Sequence, residues 1–395
     1  MSKLEQLIKE LCPNGVEYKK LSDIATVARG VRVVRDQLAE TGDIPVYQNS
    51  IKPLGYHDKS NVKAYSAFVI GAGAAGEIGF SDVDFWAADD CYYFLCPDNL
   101  NNRYLYFVLM KNQPLILSRV RKASIPRLSR TVIENLVIPV PPLEVQAEIV
   151  KILDNFTELT AELTAELTAR KKQYEYYRDL LLDFGVHGGG TSECEWRTLG
   201  EMFPFIRNGF VGTVTPFYTD KENGVRYLQG TNIHNGVISD NEVFYITKEF
   251  HDKHKKNELQ SDDILMVQSG HVGECAVVGE KYKGSNCHAL IILSNGGQCD
   301  SNYVRYYLQS THGKRILVRI TTGGTVKHIL ASKMKNVVIP FPPIEEQKRI
   351  VSTLDRFDKL CNDISEGLPA EIEARRKQYE YYRDRLLSFE ERKNA

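Results

Sequence analysis

The chain repeats itself, and that repeat limits what it can fold into. Residues 136–156 read LVIPVPPLEVQAEIVKILDNF and residues 337–357 read VVIPFPPIEEQKRIVSTLDRF. Further on, ARKKQYEYYRDLLL from Ala169 matches ARRKQYEYYRDRLL from Ala374 at all but two positions. A weaker match opens each half, VEYKKLSDI from Val16 and CEWRTLGEM from Cys194. The order is variable block (16–138), shared block, variable block (194–339), shared block. A chain of 395 residues exceeds what one hydrophobic core usually supports, so two domains or more are expected.

Each shared block opens on prolines, Pro139-Val-Pro-Pro and Pro340-Phe-Pro-Pro. Proline is excluded from a helix interior but suits its first turn. Long helices should therefore begin near Leu143 and Ile344, with Glu144, Glu345 and Glu346 at the positive end of the dipole. The first apolar stripe is Ile149, Ile152, Phe156, Leu159, Leu163, Leu167, Tyr174, Tyr177 and Leu181, and the helix should end near Phe184, before Gly185 and the glycines from Gly188. The second stripe is Ile350, Leu354, Phe357, Leu360, Ile364, Ile372, Tyr379, Tyr382 and Leu386, with a break expected at Gly367-Leu-Pro369. A rod of about 60 Å is too long for one small domain to bury. The second rod is its natural partner, and a repeat within one chain favours an antiparallel pair.

The segment from Gln173 to Asp179 is identical in the copy from Gln378 to Asp384, and much of it is polar. Slow change in a helical core would fix only the inward side. Identity around the whole helix points to a surface that meets the same partner twice, formed by Gln173, Tyr174, Tyr176, Tyr177 and Arg178 and again by Gln378, Tyr379, Tyr381, Tyr382 and Arg383. The first helix also carries the tandem Thr160-Ala-Glu-Leu and Thr164-Ala-Glu-Leu, and the two shared blocks differ by four residues between their matched ends. Four residues add about 6 Å and about 40° of rotation, close to two base-pair steps of about 3.4 Å. The tandem is either a ruler between two DNA-reading heads or plain slippage in a solvated helix.

The variable blocks are strand-rich. Tyr92-Tyr-Phe-Leu, Phe244-Tyr-Ile, Ile264-Leu-Met-Val and the run from His288 to Leu293 are short apolar or aromatic runs between Gly, Asn and Asp clusters. One amphipathic helix follows in each block, Tyr104 to Lys111 and Tyr303 to Gln309. The fold class is α+β, mainly antiparallel sheet. Basic residues recur early and late in each block: Arg29, Arg32 and Arg35, then Arg119, Arg121, Lys122, Arg127 and Arg130; in the second block Arg207, then Lys314, Arg315, Arg319, Lys327 and His328. Such runs are often just a solvated face. Recurrence at the matching late position makes them candidates for DNA contact, with phosphate and base contacts not separable at this stage.

Composition removes other classes. The net charge of −1 is silent about DNA, although a local basic face can bind phosphate. No apolar run approaches the roughly 18 residues of a membrane span. The segment from Met1 to Glu10 alternates charge with Leu and Ile, unlike a signal peptide, so a cytosolic chain with free thiols is expected. The eight cysteines form no C-x-x-C pair, and Cys287-His288 alone reads as core packing rather than a metal site. Gly71-Ala-Gly73-Ala-Ala-Gly76 fits the dinucleotide fingerprint, but the following Glu77-Ile-Gly-Phe-Ser-Asp has a strand pattern where that site needs a helix N-terminus. No phosphate-binding P-loop, no Asn-Pro-Pro-[Tyr/Phe] motif and no nucleophile–base set stands out. A non-catalytic chain without its own cofactor is expected. The competing readings are an enzyme with a nucleotide at Gly71 to Gly76, and a coiled-coil protein scaffold that reads no DNA.

Two divergent blocks alternating with two near-identical helical blocks resemble the specificity subunit of Type I restriction-modification enzymes. The Pro-Val-Pro-Pro-Leu-Glu-Val-Gln and Pro-Phe-Pro-Pro-Ile-Glu-Glu-Gln openings, the repeated Lys-Gln-Tyr-Glu-Tyr-Tyr-Arg-Asp and the Thr-Ala-Glu-Leu tandem carry the resemblance, the last pointing to the IC-like branch. It implies a first target recognition domain at 1–138, a central helix at 139–184, a linker at 185–193, a second recognition domain at 194–339 and a C-terminal helix at 340–390, kinked near 367–369. It further implies that each recognition domain reads half of a bipartite, asymmetric site in double-stranded DNA. The helices would form an antiparallel coiled coil that sets the spacer and docks two modification subunits, which carry S-adenosylmethionine and methylate adenine N6. Restriction subunits using ATP and Mg would complete the assembly, without a membrane component.

Overall fold

The computed structural model describes residues 2–185, 194–324, 327–362 and 367–392. The chain divides into two compact units, Met1–Thr164 with Ile372–Ala395, and Ala165–Glu371. The expected linker lies outside the described residues except for Gly185, whereas the expected break at Gly367 to Pro369 falls within them.

In the first unit, β1 (Tyr18–Lys20) pairs antiparallel with β6 (Val137–Pro139), so the start and end of the variable block close on each other. Between them, β2 (Thr26–Arg29), β3 (Ser66–Ile70), β4 (Ile78–Ser81) and β5 (Cys91–Leu95) form an antiparallel sheet in the order β2-β5-β3-β4. A three-stranded sheet of Gly55–His57, Ile44–Tyr47 and Trp86–Ala87 stands apart from it. All of β3 is buried, under helix α1 (Asn102–Ser118), whose Asn101 side chain caps its first turn.

The second unit repeats this plan. Strands β7 (Glu195–Thr198) and β12 (Val338–Phe341) close the block, and β8 (Phe205–Asn208), β9 (Ile264–Val267), β10 (Cys275–Val277) and β11 (Leu290–Ser294) form a sheet in the order β8-β11-β9-β10. A second four-stranded sheet is built from Tyr218–Thr219, Phe244–Thr247, Gly224–Leu228 and Asn286–Cys287. Where the first unit has one helix, this one has α3 (Ser301–Gln309) and α4 (Thr311–Ile320), separated by Ser310.

Helix α2 (Leu143–Leu181) gives its first part to one unit and its second part to the other. It begins where the prolines predict and ends three residues before Phe184. The second shared block forms α5 (Ile344–Asn362) and α6 (Leu368–Leu386), with Pro369 in the first turn of α6. In the second unit Phe357 stacks on Tyr177, and Cys361, its thiol raised by burial, lies in the field of Lys171. The α2 and α5 segments therefore run antiparallel there.

The glutamine of each opening motif explains why the motif persists. Gln146 is fully buried; its Oε1 accepts from the Asn101 backbone N–H at 2.9 Å, and its Nε2 donates to the Pro141 and Asn99 carbonyls at 2.7 and 3.0 Å. Gln347 does the same, accepting from Asp300 N–H at 2.9 Å and donating to Pro342 at 2.8 Å. Tyr104 and Tyr303 add matching hydroxyl bonds to the carbonyls of Pro139 and Pro340. Each glutamine ties the proline turn, the α2 or α5 start and the recognition-domain helix together by pairing backbone atoms that burial takes away from water.

The apolar stripe needs one correction. The row of α2 that enters the first core is Val145, Ile149 and Leu153, with Ile152 only partly buried and Leu159 exposed. Val150 and Ile152 pack, partly buried, in that same cluster, which also takes in Tyr379 and Leu386. The first unit is completed by residues 387–392. Leu387 is 1% exposed, Val16 N–H donates to the Glu390 carbonyl at 2.8 Å, Arg392 N–H donates to Val16 at 2.9 Å, and Tyr18 Oη donates to Phe389 at 3.0 Å.

Candidate nucleic-acid interface

The turn between β3 and β4 is where the glycines are needed. Gly73 and Gly76 sit at φ +85° and +89°, and Gly76 N–H closes the turn on Ile70 at 2.8 Å. Strand β4, not a helix, follows, so no helix N-terminus faces the glycines as a dinucleotide site requires. The late basic segment clamps this turn. Leu128 N–H donates to Gly71 at 2.8 Å, Gly73 N–H to Pro126 at 3.1 Å, and Tyr92 Oη to Leu128 at 3.2 Å. Arg121 and Arg127 exchange backbone hydrogen bonds of 2.9 and 3.1 Å. From the other side, Gly71 N–H donates to the Asp90 carbonyl at 2.6 Å, and Arg29, the last residue of β2, donates Nε to the Asp89 carbonyl at 2.6 Å.

The result is a cleft of about 330 Å³ lined by Arg29, Arg119, Arg121 and Arg127 with Asp89, Asp90 and Tyr92. All four arginine side chains belong to exposed residues. Among the described residues, no ion pair links them to Asp89 or Asp90, and Asp89 Oδ1 is enclosed without a hydrogen-bond partner. The other early and late candidates fall elsewhere. Arg32 and Arg35 are exposed beyond β2, with Arg35 lining a separate cleft beside Leu54 and Tyr56. Lys122 is exposed in the loop between Arg121 and Arg127, and Arg130 pairs with Glu134 at 3.0 Å on a short helix.

The second unit builds the same backbone device from different residues. Gly270 and Gly273 sit at φ +82° and +92°, Gly273 N–H donates to Val267 at 3.0 Å, and Ile329 N–H donates to Gln268 at 3.0 Å. Thr322 and His328 exchange backbone bonds of 2.8 and 2.7 Å, as Arg121 and Arg127 do. Lys314 and Lys327 line a cleft of about 410 Å³ beside this turn. Arg315 and Arg319 are exposed on α4.

Arg207 is not the counterpart of Arg29. In the sheet register Arg29 lies opposite Tyr92, and Asn208 lies opposite Ile291, its equivalent; Arg207 matches Ala28. Arg207 is part-buried, donates Nη1 to Ser294 at 2.5 Å, and its positive charge partly offsets the burial that raises the Asp263 carboxyl. Sequence reading therefore missed that Asn208 holds the place of Arg29, a positional signal that appears only once strand register is known.

The duplicated tyrosine segments are used largely within each unit. Tyr174 is buried, with the Arg178 guanidinium 5.5 Å from its ring; Tyr379 is half-buried under Arg383 at 5.8 Å. Burial pushes both phenols up to about 12. Arg178 and Arg383 also pair with the adjacent Asp179 and Asp384. Gln173 and Gln378 are partly exposed and accept from Arg170 and Arg375. Tyr176 and Tyr381 are the outward members, 64% and 60% exposed, each edge-on to its neighbour Tyr177 or Tyr382.

Comparison with known proteins gives a consistent set. A family model described as Type I restriction modification DNA specificity domain matches residues 13–170 and again 191–374. The chain is 32% identical over 396 residues to a putative type I restriction enzyme specificity subunit, S.HindORF215P of Haemophilus influenzae, covering 95% of this chain and 96% of that one. It is 38% identical over 269 residues to the EcoR124I/EcoR124II specificity subunit of Escherichia coli, covering 64% and 61%. In fold it is similar to the crystal structure of a Type-I restriction-modification system S subunit from M. genitalium, with TM-score 0.62, 15% identity and coverage of 94% and 96%. No described helix is long and apolar enough to cross a membrane.

Proposed function

Because the chain belongs to the Type I restriction modification DNA specificity family, as a non-catalytic subunit with two recognition domains, we propose that each recognition domain reads one half of a bipartite, asymmetric DNA site through the cleft beside its glycine turn. One observation carries this reading: the same clamp recurs in both units with different side chains, Arg121 and Arg127 against Thr322 and His328. A rigid backbone with exchangeable side chains suits two different short sequences read by one kind of domain. In the first domain Arg29, Arg119, Arg121 and Arg127 supply the contacts; in the second, Lys314, Lys327 and His328 do, with Arg315 and Arg319 on the neighbouring helix. Arg32, Arg35, Lys122 and Arg130 serve the DNA backbone outside the cleft, where exposed cations add sequence-independent affinity.

The shared helices dock two modification subunits, one beside Tyr176 and one beside Tyr381, which methylate adenine N6 with their own S-adenosylmethionine; restriction subunits bring ATP and Mg. The support is the paired exposure of those two tyrosines at equivalent positions. This chain's part is to bind and orient the DNA.

The test is adenine-methylation sequencing in a methylation-free host that expresses this chain with its modification partner. One bipartite motif with a fixed gap, absent when this chain is omitted, is the expected result. Methylation that persists unchanged without this chain overturns the reading.

A further inference from the structure

The first cleft holds two carboxylates among four arginines, which is not what a surface for phosphate alone requires. A carboxylate repels phosphate, and an arginine cluster that only held the DNA backbone would be weakened by one. Arg29 is also oriented in a way that phosphate contact does not need. Its Nε is committed to the Asp89 carbonyl at 2.6 Å, and its two terminal nitrogens make no hydrogen bond among the described residues. Among the described residues Asp89 makes no ion pair; its Oδ1 is enclosed without a donor, and its Oδ2, which is not enclosed, is the oxygen left to accept from a group in the cleft. A guanidinium with both terminal nitrogens unspent is thus fixed beside an acceptor-only group lacking a donor.

The major-groove edge of a G·C pair presents the complement. Guanine offers N7 and O6 as adjacent acceptors, and cytosine offers its N4 amino group next to O6. We propose that Arg29 and Asp89 together read one G·C pair in the half-site of the first recognition domain, Arg29 donating through its terminal nitrogens to guanine O6 and N7, and Asp89 accepting from cytosine N4. This rests on the DNA-reading function proposed above. The second domain has Asn208 and His288 at the equivalent positions of the register, so this donor–acceptor pair belongs to the first half-site only.

The experiment uses the complex of the full chain with its modification partner. Methylation sequencing first identifies the motif; duplexes carrying each single base-pair change in it are then titrated with wild-type complex, Arg29→Ala, Arg29→Lys and Asp89→Asn. The wild type should discriminate against loss of one G·C pair by roughly 10- to 100-fold. Arg29→Ala should reduce that to within about threefold while discrimination throughout the other half-site stays intact. Arg29→Lys should weaken binding to the cognate duplex less than Arg29→Ala does and still lose discrimination at that pair, because a lysine keeps the charge but not the planar fork that grips guanine bidentately. Asp89→Asn should relax the same pair and no other.

Discrimination unchanged in all three variants overturns the inference and leaves the DNA-reading function standing. So does Arg29→Ala that weakens binding equally at every base pair, since that marks a phosphate contact. Relaxation at an A·T pair instead overturns the base assignment, with Asp89 then accepting from adenine N6. A wild-type complex with no sequence preference overturns both. Melting curves of each variant complex, matched to the wild type, separate these outcomes from misfolding.

Discussion

Phe156 stacks on Tyr382, ring centroids 5.4 Å apart and planes 22° from parallel. Its image in the repeat, Phe357 on Tyr177, lies in the other unit at 6.0 Å and the same angle. Each aromatic from the start of a shared block meets the tyrosine from the end of the other block, so neither copy of the repeat completes its own packing. A double-mutant cycle on Phe156 and Tyr382, followed by urea unfolding, should give a coupling of about 0.5–1.5 kcal/mol. A coupling of zero would mean that the rings share only their burial.

Gln146 and Gln347 should be far less replaceable than their polarity suggests. Gln146→Leu strands the Asn101 N–H and the Pro141 and Asn99 carbonyls, and should lower stability by about 2–3 kcal/mol, with Gln347→Leu doing the same in the second unit. Limited proteolysis should then open the mutated unit first.

DNA affinity should separate the arginines by position. Arg121→Ala and Arg127→Ala should weaken binding and reduce the salt slope by about one each if they meet phosphate. Arg207→Ala should leave the slope unchanged and lower the melting temperature, because that side chain is engaged with Ser294. A changed slope for Arg207→Ala would place it at the interface.

Asp179 makes one acid-sensitive contact. Burial alone raises its carboxyl, but the Thr311 hydroxyl and backbone N–H, the latter at 3.1 Å, and Arg178 outweigh it and hold the group below the usual carboxylate range. A depressed folded-state value stabilises above the unfolded value of about 3.9 and is lost as pH falls through the lowered one. Wild type should therefore exceed Asp179→Asn in stability near neutrality, and the gap should close in acid. A gap independent of pH would assign the effect to shape rather than charge.

The Thr-Ala-Glu-Leu tandem is internally self-contained. Thr160 Oγ1 donates to Phe156 at 2.8 Å and Thr164 Oγ1 to Thr160 at 2.7 Å, each to the carbonyl one turn earlier. Removing Thr164–Leu167 leaves that pattern intact and shortens α2 by about 6 Å. Methylation sequencing should then report a shorter gap between unchanged half-sites. An unchanged gap would mark the tandem as slippage.

The helical half of the fold was legible because its signals are local. Prolines before Leu143 and Ile344 set helix starts to the residue, and the strand runs at Tyr92 and Ile264 fell where β5 and β9 lie. What escaped was non-local. That Asn208 rather than Arg207 answers Arg29 depends on a one-residue register, and a one-residue slip turns a side chain to the opposite face of a strand. The inward use of Tyr174 and Arg178 was hidden because identity between two copies shows constraint without showing its direction.

The docking of residues 387–392 against Val16 and Tyr18 has a consequence for biosynthesis. A ribosome delivers the first recognition domain early and the last segment of its core late, since Leu387 joins that core only after the whole of the second unit has been made. Domains usually fold in order of synthesis. Here the unit begun first is the one finished last, and for the interval of some hundreds of peptide bonds its open edge at Val16 waits on the nascent chain.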